Sequence, residues 1–260
     1  MPRTDTDRRR LQEIVEKTEL ADDDVFLRTG DVYDTILLES ALVEDPNFTR
    51  VAEADLARMF ELYDEIFYDG SLGRLARSDG NTLSFRLSSR MTSAAGKTFQ
   101  RRRRRKGPAQ YEIAISTALL FAAFRGSDHR PITVSGVPCV DRLAAMQRVF
   151  EHETLHLVEM LIWDDSSCFR KRFRSMATRL FGHRESTHSL ITPVEQAREQ
   201  FGIKTGDLVT FSFEGRTLTG YVNRVTKRAT ILVPDPKGER YSDNRRYTKF
   251  YVPLSQLRRA

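Results

Sequence analysis

The spacing of hydrophobic residues in the middle of the chain predicts one long helix. Between residues 141 and 163 apolar side chains return every three or four positions, and neither glycine nor proline interrupts the run. Asp141 is a suitable N-cap for this helix. Residues 55–68 show the same spacing, and the turn residues Asp69-Gly70 follow them directly. The sequence therefore predicts an amphipathic helix at each of these two places.

Between these helices the pattern changes to alternation, which is typical of strands. Residues 83–87 and 111–116 alternate apolar and polar side chains, and residues 88–99 continue as a second extended piece. We expect a small antiparallel sheet over residues 83–116. Its exposed tip is predicted at Arg101–Lys106, because six consecutive cations cannot lie in a core and a Gly-Pro turn follows them.

From Gly202 onward, apolar and polar side chains alternate in short segments that are separated by turn residues. Four or five strands within about 55 residues predict a small all-β, SH3-like barrel at residues 201–260. The opening of this region, Lys204 to Val209, resembles the start of KOW or Tudor-like modules. The predicted strands cover residues 207–213, 218–225, 229–233 and 247–252.

Together these patterns predict an α+β protein with three parts. Residues 1–50 are expected to form an N-terminal acidic and helical extension, with helical runs at 11–20 and 32–43. Residues 51–195 are expected to form the main domain, and residues 201–260 the small barrel. A chain of 260 residues with 40% hydrophobic content is large enough for one main core and a small satellite.

Composition argues against membrane-spanning, secreted and disulfide-stabilised classes. The chain contains no run of about 18 apolar residues, so no membrane span is expected. Its first residues carry charge without an apolar segment, unlike a secretory signal. Only Cys139 and Cys168 are present, which fits a reducing compartment. We expect a cytoplasmic or nucleoid-associated protein.

The net charge of +6 is unevenly distributed along the chain. Residues 11–56 carry 13 acids against 3 bases, a balance of −10, whereas residues 201–260 carry 12 bases against 5 acids, a balance of +7. This asymmetry indicates separate roles for the two ends. Solvation alone can explain the charge of either end, and we favour this explanation for the acidic end.

The predicted long helix contains the motif His152-Glu153-Thr154-Leu155-His156. Residues i and i+4 of a helix lie side by side, so both imidazoles can reach one metal ion. Zinc lowers the pKa of a bound water to about 7, and a neighbouring carboxylate can take the proton during attack on a carbonyl. The motif therefore predicts His152 and His156 as Zn²⁺ ligands and Glu153 as general base. The alternative is a buried helix that carries two of the five histidines of the chain without a metal.

The order of motifs resembles the SprT-like zinc metalloprotease family. The similarity covers roughly residues 55–182 and rests on the segment from Asp64 to Gly70, on Leu87–Gly96, on Tyr111–Ser116 and on the Glu-His-Glu-x-x-His core. The resemblance implies a zincin-like core of helices and a small sheet around a cleft, with His152 and His156 as zinc ligands and Glu153 as general base. The Spartan-type relatives cleave proteins crosslinked to DNA, and several members of the family carry DNA-binding segments.

The third zinc ligand departs from the pattern of that family. Where relatives have a histidine in a H-G-x-x-F pattern, alignment of Phe173 with the family phenylalanine leaves Phe169 at the histidine position. Cys168 is the nearest competent donor and is the predicted third ligand, because a thiolate binds zinc well. Cys168 as an inert buried thiol, and His183 as the ligand in its place, remain alternatives.

Two basic regions are candidate nucleic-acid contacts. The first is the loop 101–106, represented by Arg102, Arg103 and Arg104, whose cations can neutralise phosphates. Its alternatives are a solvated turn or a contact with an acidic protein. The second is the barrel, where cations are interspersed with tyrosines. A protein-interaction barrel is the alternative there. The candidate residues in the barrel are Arg224, Lys227 and Arg228.

We therefore expect a zinc-dependent metallopeptidase that hydrolyses peptide bonds of a protein substrate, with DNA-associated proteins as a candidate substrate class. The expected partners are that substrate and DNA or another nucleic acid, with no membrane. The alternative is a binding module for nucleic acid or protein that is stabilised by the metal and has lost catalysis. The choice between the two hypotheses depends on whether the site remains catalytic without the usual third histidine ligand.

Overall fold

The chain divides into two units, Met1–Leu190 and Ile191–Ala260, each with its own hydrophobic core. The computed structural model describes residues 3–102, 107–124, 131–226 and 228–260. The predicted division into 1–50, 51–195 and 201–260 places its first boundary inside the first unit.

The first unit begins with four helices: α1 (Arg3–Lys17), α2 (Asp22–Glu39), α3 (Glu53–Tyr68) and α4 (Ser71–Ala76). The helix predicted at 55–68 is confirmed by α3. The run predicted at 32–43 overlaps α2 only up to Glu39, and α2 begins ten residues earlier than predicted. Three aspartates form the first turn of α2, where carboxylates interact favourably with the helix dipole. Side chains of α1 and α2 are buried in the same core as α3, among them Leu11, Val15, Val32 and Ile36.

The first sheet contains β1 (Thr82–Ser88), β2 (Gly96–Arg102) and β3 (Ala109–Ser116) in the spatial order β1-β3-β2. The prediction of a purely antiparallel sheet is wrong, because β1 and β3 are parallel. Only β2 and β3 are antiparallel neighbours. Strand β3 lies between the two earlier strands, antiparallel to β2 and parallel to β1, and alternation of side chains does not indicate which strand becomes a neighbour. Of the tip predicted at 101–106, Arg101 and Arg102 are the last residues of β2, and residues 103–106 lie outside the described residues.

The long helix α6 carries the metal motif through the first unit. It follows α5 (Thr117–Ala122) and the short hairpin of β4 (Ile132–Val134) and β5 (Val137–Cys139). The prediction of this helix is confirmed: α6 spans Arg142–Trp163, and Asp141 caps it by accepting a hydrogen bond from the Ala144 amide. Helix α7 (Lys171–Phe181) follows and ends at Gly182, which has the left-handed conformation that favours glycine.

Helices α3 and α6 pack on one face of the sheet and enclose an aromatic core. Phe85 from β1 contacts Phe60 of α3 and Phe150 of α6, with ring centroids 5.4 and 6.2 Å apart respectively. Tyr63 stacks on Phe150 at 6.0 Å. One face of α6 is therefore buried in this aromatic core. The face that carries the histidines is directed toward β2 and α7.

In its described residues, 191–226 and 228–260, the second unit consists of α8 (Pro193–Phe201), five strands and a short 3₁₀ helix. The strands form one sheet in the order β10-β6-β7-β8-β9, with antiparallel neighbours throughout. The four strands predicted from alternation are present. Within the described residues no pairing of β9 with β10 closes this sheet into a barrel. The strands are β6 (Leu208–Phe213), β7 (Arg216–Val225), β8 (Ala229–Arg240), β9 (Arg246–Val252) and β10 (Arg258–Arg259).

The fold class is thus α+β, as the sequence predicts. Among the helices of the described ranges, none has the length and apolar content needed to cross a bilayer.

Candidate metal centre

Helix α6 brings the two histidines of the motif together. The Nε2 atoms of His152 and His156 lie 3.1 Å apart, so both nitrogens point at the same small volume. Phe173 of α7 packs against both imidazoles, with ring centroids 4.8 Å from His152 and 4.6 Å from His156. The i, i+4 spacing therefore produces the paired arrangement that the sequence predicts, and α7 holds the rings in place.

Cys168 completes the cluster from the loop between α6 and α7. Helix α6 ends at Asp164, whose left-handed conformation reverses the chain. The following loop returns along the helix, so that the donor atoms of His152, His156 and Cys168 all lie within 4.8 Å of one another. Phe169, which neighbours Cys168 in the same loop, is 81% exposed and offers no donor atom.

Burial sets the protonation states of these three donors. It lowers the pKa of His152 to about 3 and that of His156 to about 4. Both imidazoles are therefore neutral near pH 7, which is the form that binds a metal. Burial also raises the pKa of the Cys168 thiol, and the nearby carboxylates of Glu153 and Glu159 raise it further. A thiolate at this position therefore needs a neighbouring cation, and a bound metal would provide it.

A second layer of hydrogen bonds orients His156. Its Nδ1 lies 2.6 Å from the Ser166 hydroxyl, and that hydroxyl donates to Glu159 at 3.0 Å. Because Ser166 uses its proton on Glu159, it accepts from Nδ1–H of His156. The Nε2 lone pair is then directed at the cluster. Glu159 is fully buried, and it also accepts from the Ser167 amide and from Arg172 at 2.8 Å each.

The carboxylate of Glu153 is almost completely buried beside the cluster. The residue is 4% exposed, and Thr98 of β2 donates to its Oε2 at 2.7 Å. Burial raises the pKa of Glu153 to about 7, against the opposing effect of the Thr98 hydrogen bond. Gly96 provides the space for this side chain, since a Cβ there would lie 2.6 Å from both Cγ and Oε1 of Glu153.

On the opposite side of α6, a buried polar network contains His183. Its Nε2 lies 2.8 Å from Glu151, which also accepts from Tyr63 at 2.7 Å and from Arg148 at 3.0 Å. Burial opposes the charge of Glu151, but Arg148 and the hydrogen bond from His183 prevail and lower its pKa. His183 thus serves as a partner of Glu151, whereas Cys168 is the residue that the structure brings to the histidine pair.

The donor set at α6 fits a transition metal. Two neutral imidazoles and one thiol converge, and three protein ligands leave a position open for water or substrate. No protein-family model, curated protein or solved structure matches the chain. The geometry of the cluster is therefore the basis for any statement about function.

Three of the predicted basic contacts, Arg102, Arg224 and Arg228, lie within the described residues. Arg102 pairs with Asp164 at 2.9 Å, beside the end of α6. Arg224 and Arg228 are exposed on the second unit, and Arg224 is in register with Thr230 on the neighbouring strand. The remaining candidates, Arg103, Arg104 and Lys227, lie outside the described residues.

Sequence reasoning missed three residues that shape the site. Thr98 and Gly96 position Glu153, and Ser166 connects His156 to Glu159. The signal for Gly96 was available, since a glycine inside an alternating strand often marks a close approach of another group. Nothing in the local pattern identifies Ser166, because its role depends on the chain reversal at Asp164.

Proposed function

We propose that the protein is a zinc-dependent peptidase whose active site is formed by His152, His156, Cys168 and Glu153. The observation that carries the proposal is the convergence of two Nε2 atoms, 3.1 Å apart, and the Cys168 thiol beside a buried carboxylate. Two histidines and a thiolate are ligands that zinc prefers, and they leave the open position that a catalytic site needs. Zinc, when bound, supplies Lewis acidity that brings the pKa of water to about 7.

The proposed proton transfers are carried out by Glu153. Glu153 takes a proton from water as the water oxygen bonds to the carbonyl carbon of the substrate. It then returns that proton to the nitrogen of the leaving amine as the C–N bond breaks. Because Thr98 donates a hydrogen bond to Oε2 of Glu153, we assign Oε1 as the oxygen that accepts and returns the proton. The surrounding apolar packing and Thr98 keep the carboxylate in one orientation during both steps.

Two finer features of the fold belong to the same proposal. The succession of α3, the mixed sheet and α6 supports a SprT-like, zincin-type core, with the edge strand β2 placed beside the metal motif through Thr98. In the second unit the last strand, β10, returns to pair with the first, β6, which supports an SH3-like barrel arrangement.

The second candidate function is a binding module that the metal only stabilises. The observation that favours it is Cys168, because SprT-like relatives place a histidine at the third ligand position. A thiolate donates more negative charge to zinc than an imidazole does, which reduces the Lewis acidity available for catalysis. Metal content and proteolysis together distinguish the two functions.

The first measurement is the zinc content of the purified full chain and of two cysteine variants. We expect one zinc per chain in the wild type and a large loss in Cys168→Ser. Cys139→Ser is the matched control, because Cys139 is buried in β5 and outside the cluster. Equal zinc content in all three proteins would show that Cys168 is not a ligand.

The second measurement is cleavage of an unstructured protein such as casein, alone and in a DNA–protein crosslink. We expect activity in the wild type, and we expect Glu153→Gln to lose a factor of at least about 100, since general-base catalysis typically contributes that much. Glu65→Gln, an exposed substitution on α3, is the control for charge removal. Stoichiometric zinc with no cleavage of either substrate would support the binding module.

A further inference from the structure

The face of the first sheet opposite α3 and α6 carries several exposed side chains. Helices α3 and α6 pack against the face that carries Phe85, Thr98 and Ile113. Strand alternation directs the intervening residues to the other face. Several of them, including Thr82, Ser84, Lys97, Arg101 and Gln110, are exposed to solvent.

At the centre of this open face, three cations surround one aromatic ring. The charged ends of Lys97, Arg101 and Arg86 lie 5.1, 5.5 and 5.8 Å from the centroid of the Phe99 ring. The strand register explains the cluster: Phe99 is opposite Glu112, and Lys97 is opposite Ala114, which in turn is opposite Arg86 on β1. The small Ala114 leaves room for two long basic side chains.

The charge of the cluster is positive. Arg86 is paired with Glu112 at 2.9 Å. Lys97 and Arg101 are absent from the ion pairs found among the described residues, in contrast to Arg102 on the opposite face, which is paired with Asp164. Two exposed cations beside a half-buried ring are therefore available to a partner. Phe99 was not identified from the sequence as a candidate contact.

We propose that this face, centred on Phe99, binds single-stranded nucleic acid. Cations hold the phosphates of such a strand, and an aromatic ring stacks on an unpaired base. A duplex hides the faces of its bases from such a ring. An acidic peptide would satisfy the cations but would gain little from Phe99. The combination of ring and cations on an exposed sheet therefore favours a single strand over both alternatives.

This inference does not depend on the proposed peptidase. On β2, Phe99 faces the open side, whereas its neighbour Thr98 faces Glu153. The two activities would thus share one strand but use opposite faces of the sheet. The two proposals can fail separately. Metal content tests the cluster of His152, His156 and Cys168, and nucleic-acid affinity tests the open face.

The test is the affinity of the full chain for a fluorescein-labelled oligo(dT) of about 20 nucleotides, measured by fluorescence anisotropy at several salt concentrations. We expect Phe99→Leu to weaken binding by about 5- to 150-fold, the range for loss of one stacked base. Phe99→Tyr keeps the ring and should retain affinity within about twofold. The double variant Lys97→Gln/Arg101→Gln should reduce the salt slope by about 0.7 for each cation removed.

Arg50→Gln is the control for charge removal, because Arg50 is an exposed cation of the first unit that lies outside this sheet. Arg224→Gln/Arg228→Gln tests the second unit in the same assay. The proposal is overturned if the wild type does not bind oligo(dT), or if Phe99→Leu binds as tightly as the wild type. Equal affinity for a 20-base-pair duplex, or for polyglutamate of matched charge, would also overturn it. Unchanged zinc content and melting temperature in Phe99→Leu exclude misfolding as the cause of a loss.

Discussion

At the scale of single residues, the position of Glu153 depends on the absence of a side chain at residue 96. A Cβ there would lie 2.6 Å from Oε1 of Glu153 and 2.8 Å from Val149. Gly96→Ala should therefore displace the carboxylate, and a displacement of about 1 Å can reduce catalysis by about 100-fold. We expect cleavage to fall by that order while zinc content is retained. The assay is proteolysis with parallel metal analysis.

Gly30→Ala is the control for this substitution. Gly30 lies inside α2, and a Cβ added there would meet no atom within 4 Å. Alanine at such a helical position should stabilise the protein by about 0.5–1 kcal/mol without affecting cleavage. Full activity in Gly96→Ala would show that Glu153 can shift without consequence and is not the base.

The hydrogen bonds behind His156 lead to a second prediction at this scale. Ser166 accepts from His156 and donates to Glu159, so Ser166→Ala leaves the imidazole tautomer unspecified. Loss of such a contact typically weakens metal affinity by about 10- to 100-fold. Competition with a chelator measures this change directly. Ser167→Ala is the control, because Ser167 contacts Glu159 through its backbone amide. Equal zinc affinity of both variants would contradict the role of Ser166.

At the scale of elements, the junction between α3 and α4 is held by one buried carboxylate. Asp64 accepts from the amides of Leu72 and Gly73 at 3.0 Å each and so satisfies the first turn of α4. Burial raises the pKa of Asp64 to about 6, although these two amides act in the opposite direction. The pKa in the folded protein is therefore higher than the value near 3.9 expected in the unfolded chain.

The sign of the resulting pH dependence follows from this difference. Because the folded state holds the proton more tightly, the contribution of Asp64 to stability is fully present below about pH 4 and is lost as the pH rises through about 6. We expect the free energy of unfolding of the wild type to fall by on the order of 2 kcal/mol across this window, relative to Asp64→Asn. Urea unfolding at a series of pH values measures the difference, and parallel curves would refute it.

The elements also show what the sequence can predict. Periodicity identified α3, α6 and the strands, because an amphipathic face is a local property. It did not give the order β1-β3-β2, since alternation indicates which face of a strand is buried but not which strand lies beside it.

The same limit applies at the candidate site. The pairing of His152 with His156 follows from helix geometry and could be predicted. The approach of Cys168 was predicted only through the family resemblance, because it depends on how the chain turns after Asp164. The cluster around Phe99 could not be predicted, because the sheet places this ring among cations that come from two strands.

At the scale of the whole molecule, the N-terminal residues belong to the core of the first unit. The sequence sets residues 1–50 apart as an extension because they are acidic and carry no recognisable chemistry. In the structure the α1 and α2 helices bury apolar side chains in the core that also contains Phe150 and Leu155 of α6. Arg8 further connects α1 to α6 by donating to the Leu161 carbonyl at 2.6 Å. The metal motif and the N-terminal helices are thus parts of one core.

Deletions of the two ends of the chain should therefore have opposite effects. Removal of residues 1–50 takes away Leu11, Val15, Val32 and Ile36, each at most 1% exposed. At about 2–5 kcal/mol for each large buried side chain lost, the sum exceeds the stability of a typical domain, so we expect an insoluble or unfolded product without zinc.

Removal of residues 191–260 takes away a unit with its own core and leaves the donors His152, His156 and Cys168 intact. That fragment should remain folded and bind zinc with the stoichiometry of the full chain. Circular dichroism and metal analysis of both fragments test the pair of expectations, and a folded, zinc-loaded 51–260 fragment would contradict the assignment of α1 and α2 to the core.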